Sequence, residues 1–248
     1  MKKQTGRRTV ALVIVAAILF IGLGGAYYYF RGQKFALTTA ASAPQNQTEG
    51  LLLIIDPGHG GLDGGAVSLT GVEESGINLA IALRLEALAA LYGIPAEMTR
   101  RTMDLDYPEG AITIRAKKVA DTRARVEMIN ATPNAVVISI HQNTYPGPSV
   151  SGPQVLFSRT ERSEELAQIM QEALTVGLQL ERPRTPSGVP SGVFIMNHID
   201  HPAILVECGF LSNPREEELL RTESYQLKLA GILLAGYVQA MELLRALK

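Results

Sequence analysis

The chain has 248 residues, enough for one substantial domain and a short appendage. With 23 basic against 24 acidic residues and a formal net charge of -1, it lacks the broad positive field that holds nucleic acid, and no nucleic-acid partner is expected. Its single cysteine, Cys208, excludes an intrachain disulfide framework.

At the N-terminus, Lys2, Lys3, Arg7 and Arg8 precede an apolar run from Val10 to Tyr29 that closes on Tyr27, Tyr28, Tyr29 and Phe30. The run is long enough to cross a hydrocarbon core as a helix; the basic cluster favours a cytoplasmic start and the tyrosines suit the far interface. Residues 1–8 therefore read as a basic cytoplasmic tail and 9–30 as a transmembrane signal-anchor. A cleaved secretory signal is the competing reading, with Ala41-Ser42-Ala43 as the small-residue site. Against it, the apolar run is longer than a usual signal core and the site lies well beyond its end. Either reading exports the remainder, so an extracytoplasmic domain is expected, anchored to the membrane or secreted. Residues 31–50 are polar and turn-rich without periodicity, as a flexible tether would be.

From residue 51 to 248 short apolar runs alternate with helical stretches. Leu51 to Ile55 is a buried strand that stops at Asp56-Pro57-Gly58. Ile77 to Leu91 reads as a helix, with Leu79, Leu83, Ala87 and Leu91 at spacing four and Ile77, Ile81, Leu85 and Leu88 widening the stripe. Ile94 to Thr99 is a second strand. Thr113 to Asn130 is a helix with Val119, Val126 and Ile129 inward, and Ala135 to Ile140 a central strand. Strands follow at Gln154 to Ser158, Val193 to Met196 and Ala203 to Val206, with a helix from Glu161 to Leu178. Asn213-Pro214-Arg215-Glu216 announces a helix, Asn capping, Pro first and Glu reaching back. A final helix covers Tyr225 to Leu247. The alternation predicts an α/β three-layer sandwich, a mostly parallel central sheet with helices on both faces.

Three polar clusters stand at strand ends: Asp56 to Gly61, Ser139 to Asn143, and Glu207 to Phe210. In open α/β sheets ligands bind beyond the carboxyl ends of the strands, so the clusters can share one crevice. An acid pair, Glu73-Glu74, sits directly before a helix. Two histidines and two acids in one crevice form a metal-hydrolase inventory. Neutral imidazoles and a carboxylate are good zinc ligands, and three protein ligands leave a fourth position open. Amide hydrolysis also needs a free carboxylate to shuttle the proton to the leaving amine. Spacing alone leaves Glu73 and Glu74 equal.

His59 in Asp-Pro-Gly-His-Gly-Gly, Glu74 in Glu-Ser-Gly-Ile-Asn-Leu, His141 in Ser-Ile-His-Gln-Asn and Glu207 in Val-Glu-Cys-Gly-Phe-Leu-Ser-Asn closely resemble the zinc-dependent N-acetylmuramoyl-L-alanine amidases. The resemblance runs from about Leu51 to the C-terminus. It implies Zn2+ held by His59, Glu74 and His141, catalysis by Glu207, and peptidoglycan as substrate, cut between the muramic lactyl group and L-alanine. The family's register, four residues before Asn78-Leu79, selects Glu74 over Glu73. Met98-Thr99-Arg100, and Arg125 with Asn130, match as structural positions. The membrane segment, the short length and Ser151-Gly152-Pro153-Gln154 look most like the spore-cortex, germination-specific subgroup. A vegetative autolysin of the same family is the alternative.

Other readings compete at single positions. Gly58 to Gly65 does not fit G-x-G-x-x-G, and no G-K-[ST] follows, which excludes nucleotide binding. His198 and His201 precede their strand and read as surface or rim residues. Cys208 has no histidine placed to activate it and reads as a buried small residue. Asp56 and Asn143 are equally well turn caps or partners that orient ligands. Asp104, Asp106 and Glu109 occupy a loop that borders the groove. A zinc peptidase on soluble peptides and a non-catalytic wall-binding module share the same residues as rivals, and a regulatory protein partner is plausible on the ground that a wall-cutting enzyme needs restraint.

Overall fold

The computed structural model describes residues 50–245. The stretches read as a basic tail and a membrane anchor, and residues 31–49 of the expected tether, lie outside the described residues, as do residues 246–248 at the C-terminus.

The elements follow the order β1 (Leu52–Pro57), α1 (Glu74–Leu91), β2 (Ala96–Met98), α2 (Ile114–Ala131), β3 (Ala135–Asn143), β4 (Gln154–Phe157), α3 (Ser163–Leu178), β5 (Ser187–Gly188), α4 (Phe194–His198), β6 (Ala203–Phe210), α5 (Pro214–Leu220) and α6 (Glu223–Arg245). The six-stranded sheet runs β2-β1-β3-β6-β4-β5. β2, β1, β3 and β6 are mutually parallel, while β4 runs antiparallel to β6 and β5 parallel to β4. The sheet is thus mostly parallel, as expected, and the β4–β6 pairing alone makes it mixed. The cause is the connection. The link from β3 to β4 carries no crossover helix, so the chain re-enters the sheet from the end it left. α3 then supplies the crossover that makes β5 parallel to β4.

Helices cover both faces unequally. The larger core joins alternate residues of the strands, among them Leu53, Ile55, Val136, Ile138, Val155 and Val206, to α1, α3 and α6. The smaller core sets Ile54, Val137 and Leu205 against Ile129 of α2 and Met196 of α4. α6 is long and apolar enough to cross a membrane by length and composition, but its apolar side is committed to the larger core.

Local details revise several readings. In α1 the fully inward row is Ile81, Ala82, Leu85 and Ala89, while Leu83 and Leu91 face solvent at 39% and 76% exposure. The stripe taken as the flank is the centre. On α2, Ile129 is buried as expected but Val119 is 40% exposed. Residues Val193 to Met196 are not a strand: Phe194 opens the short helix α4, which turns Met196 into the smaller core. An apolar run of four is too short to separate the two periodicities. Strand β2 is shorter than Ile94 to Thr99, because Ile94 closes the end of α1 by donating to the Ala89 carbonyl. β5 is two residues without an apolar run, so the sequence pattern does not mark it. At α5 the Asn213 side chain accepts from the Arg215 and Glu216 amides with Pro214 at the first turn, as predicted. Glu216, however, does not reach back to Asn213; it accepts from the Gly152 and Phe210 amides and so ties the 144–153 loop to the end of β6.

Candidate metal centre and active site

β1, β3 and β6 are neighbours, and their carboxyl ends deliver the three polar clusters to one place. Asp56 pairs in register with Ser139, and His141 with Glu207. Side chains alternate along a strand, so Asp56, Ser139, His141 and Glu207 share the face of Val137 and Leu205. On that face α2 and the five-residue α4 leave the strand ends open, and a cavity of about 650 Å³ lies over them, lined by His59, Glu74, His141 and Glu207 among others.

Glu74 is the first residue of α1 and is buried at 3% exposure, whereas Glu73, at the cap position, is exposed. One face of its carboxylate accepts from the Ala66 amide at 2.9 Å. The other accepts from the Gln142 amide at 2.7 Å and from Asn78, one turn along the helix. The Gln142 N–H is free to do so because the pairing of β3 with β6 shifts register between His141 and Asn143. Burial pushes the Glu74 carboxyl up, but the hydrogen bonds and charges of His141 and His59 outweigh it and hold it far below the usual carboxylate range.

His59 lies just past β1 with φ 61°, a left-handed conformation uncommon outside glycine. The surrounding structure holds it there. Arg125 donates to the His59 and Pro57 carbonyls, and Arg100 to those of Pro57, Gly58 and Ser75. His59 Nδ1 meets the Asp63 carboxylate at 2.8 Å, which turns Nε2 toward Glu74 Oε1, also at 2.8 Å. Burial alone lowers the imidazole pKa, but hydrogen bonds to Asp63 and Glu74 and their charges raise it to about 9. The His141 ring stands edge-on to His59, centroids 4.9 Å apart, with Nδ1 3.7 Å from Glu74 Oε2. A Cβ on residue 58 would come within 2.2 Å of that ring, which is why glycine stands there. One ligand atom from each of His59, Glu74 and His141 falls within 4.8 Å of the others, so the three could hold a metal ion.

The chain matches the family described as N-acetylmuramoyl-L-alanine amidase over residues 53–237. A curated relative, the germination-specific N-acetylmuramoyl-L-alanine amidase of Bacillus subtilis (strain 168), is 34% identical over 192 residues, 77% of this chain and 79% of the relative. This chain belongs to the N-acetylmuramoyl-L-alanine amidase family. Among solved structures, the CwlD amidase from Clostridioides difficile, in complex with the GerS lipoprotein, superposes with TM-score 0.74 at 31% identity, covering 78% of this chain and 99% of that one. An N-acetylmuramoyl-L-alanine amidase from Clostridium difficile 630 gives TM-score 0.68 at 28% identity, over 79% and 98%.

The amidase site has features that sequence reasoning left undecided or missed. Asp56 does not cap a turn: fully buried, it accepts from Ser139, Thr99 and Arg125, and so positions the arginine that carries the His59 carbonyl. Asn143 closes β3 and accepts from the adjacent Thr144 amide. Asp63 was overlooked, although an acid four residues after a histidine in a glycine turn was a readable signal. Besides His59 it pairs with Lys118 of α2 at 2.9 Å. His198 stacks on Phe194 at the rim, ring centroids 4.0 Å apart, and His201 lies elsewhere. Asp104, Asp106 and Glu109 do not line the cavity. Cys208 is fully buried in the larger core, and burial pushes its thiol well up, so it is inert packing.

Glu207 remains. It stands one strand from His141, and its Oε2 is buried without a hydrogen-bond partner among the described residues. Burial, with Glu74 adding to it and the two histidines opposing, raises its carboxyl to about 7.

Proposed function

We propose that this amidase is zinc-dependent and removes stem peptides from peptidoglycan in the spore cortex, on the outer side of the membrane. His59, Glu74 and His141 would hold the ion. Two imidazoles clustered with one ionised carboxylate are a donor set that suits zinc with a position to spare. The observation that carries the reading is this triad with the buried, partnerless Oε2 of Glu207 beside it. Zinc supplies a Lewis acid that polarises the amide carbonyl and makes water a competent nucleophile near neutral pH.

The chain's own residues do the rest. Asp63 fixes the His59 tautomer so that Nε2 faces the metal side. Glu207, poised to exchange a proton near neutrality, takes one from the attacking water and returns it to the L-alanine nitrogen as the amide C–N bond breaks. Ser139 lines the cavity but is tied to Asp56, which leaves Glu207 as the proton carrier.

The cortex assignment draws on the germination-specific Bacillus subtilis relative and the CwlD amidase. The latter was solved with the GerS lipoprotein, and a protein partner for this chain belongs to the proposal. So does the layout: a cytoplasmic tail at 1–8, an anchor at 9–30, a tether at 31–50 and the catalytic domain at 51–248. The test is digestion of purified cortex and vegetative peptidoglycan by the full chain, with products read by mass spectrometry. Intact stems with a new L-alanine amine are expected, abolished by chelator and restored by zinc. New termini inside the stem, or chelator-resistant cleavage, would refute it.

A further inference from the structure

The cavity over the metal site has two unlike walls. One is α2; the other is the 192–196 segment, where Val193, Phe194 and Ile195 are apolar. The charges of α2 can be accounted for one at a time. Lys118 is held by Asp63, and Arg125 by Asp56 and Asp121. Lys117 lies over the Tyr107 ring, 5.1 Å from its centroid, and does not line the cavity. Arg115 and Arg123 do line it, are exposed, and make no hydrogen bond or ion pair with any described residue. Three of the four acids that line the cavity are spoken for: Asp63 by His59 and Lys118, Glu74 by its three amide donors and the histidines, and Asp121 by Arg125. The fourth, Glu207, whose Oε2 has no hydrogen-bond partner among the described residues, stands on β6 rather than on this wall. Free positive charge therefore collects along one wall of the groove in a chain whose overall charge is -1. A local field of one sign in a concave site favours ligands of the other sign.

On the amidase reading above, we propose that Arg115 and Arg123 recognise carboxylates of the stem peptide, which sets the substrate's direction in the groove. The peptide lies along α2, and the sugar lies toward the apolar wall with Phe194. The chemistry matches. A γ-linked D-glutamate following L-alanine leaves its α-carboxylate free, and further carboxylates follow along the stem. Guanidinium forks bind carboxylates bidentately, with a geometry that ammonium lacks. Eight residues on a helix span about 12 Å, roughly the reach of three or four extended residues. The two arginines are thus spaced for different carboxylates of one stem.

The experiment uses the full-length, zinc-loaded protein in detergent. Its substrates are un-cross-linked glycan strands polymerised from precursors carrying either D-isoglutamate or its amide, D-isoglutamine. The wild type is expected to favour the carboxylate strands about tenfold in kcat/KM, the scale of one charge-assisted hydrogen bond. Arg115→Gln should lower kcat/KM about tenfold on those strands, mainly through KM, and by less than about twofold on the amidated ones. Arg115→Lys should keep part of the preference, and Arg123→Gln should add to the loss on stems with a further carboxylate. Equal wild-type rates on both strands would overturn the proposal. So would variants that weaken both alike, with a loss that disappears in salt, because that marks a general attraction to anionic wall polymer. A wild type that cuts neither strand would instead sink the amidase reading itself.

Discussion

Asp63→Asn isolates what the carboxylate behind His59 contributes. In the native site His59 Nδ1 donates to Asp63 Oδ2 at 2.8 Å, so Nε2, 2.8 Å from Glu74 Oε1, is the nitrogen whose proton a bound ion would displace. Asparagine keeps the shape and an acceptor oxygen but removes the charge that makes the imidazole a stronger donor to metal. Loss of such an outer partner typically costs about 10–100-fold in metal affinity, or about 1.4–2.7 kcal/mol. Asp63 is 22% exposed, so solvent screens part of its field and the lower end, about 10–30-fold, is expected. The assay is zinc competition against a chromogenic chelator at fixed pH, with turnover measured at saturating zinc. Affinity should fall while kcat at saturation stays within about threefold. Lys118→Met, which removes the other arm on Asp63, should shift zinc affinity by less than about threefold, since that pair is half exposed. If Asp63→Asn binds zinc within twofold of wild type, Asp63 merely anchors Lys118 and the tautomer argument is wrong.

Glu207→Gln should retain stoichiometric zinc and lose about 10²–10⁴ in kcat, the usual worth of a positioned proton shuttle; a variant with near-normal turnover would remove Glu207 from the mechanism. Zinc binding should be proton-linked. His59 has its pKa raised to about 9 in the metal-free protein, so at neutral pH the ion must displace a proton. Apparent affinity should climb with pH towards 9, with about one proton released per zinc near pH 7 in calorimetry across two buffers; a flat profile contradicts this. The same raised pKa stabilises the metal-free fold fully below 6.5, and that stability fades as pH rises through about 9, so its urea midpoint should drop across this window. Arg125→Met strands the buried Asp56 charge and frees three partners at once, for an expected loss of about 3–5 kcal/mol in unfolding experiments; a loss under about 1 kcal/mol would show that Asp56 is neutral or finds water.

Much of this was readable because the strands carrying the site are central. β1, β3 and β6 are buried on both faces, so their apolar runs end abruptly where chemistry begins, as at Ile55-Asp56 and Val206-Glu207. Long helices with a firm stripe were equally plain. What escaped was set by tertiary context. The direction of β4 depends on a loop's path, and β5 survives only by pairing with β4. Val193 to Met196 has strand composition, yet the site of Met196 in the smaller core demands a turn of helix. Glu216 obeys the capping pattern in sequence, but two amides from other segments compete for its carboxylate and win. Asp56 and Asn143 are indistinguishable in sequence because nothing local records that Arg125 returns to Asp56.

The position of the site follows from how the fold divides its two cores. Three helices on one face bury the larger set of strand residues and leave no room there for a groove. The opposite face is covered by α2 and one turn-length helix, so the last residues of three strands emerge from cover. Glu207 and Cys208 make the division visible. Adjacent in sequence, they point to opposite faces, one lining the cavity and the other sealed in the larger core. A slip of one residue in β6 would exchange them, burying the acid and presenting a thiol. The packing of Leu205 against the smaller core and of Val206 against the larger resists that slip, so the hydrophobic pattern that builds the sheet also fixes which side chain reaches the metal side.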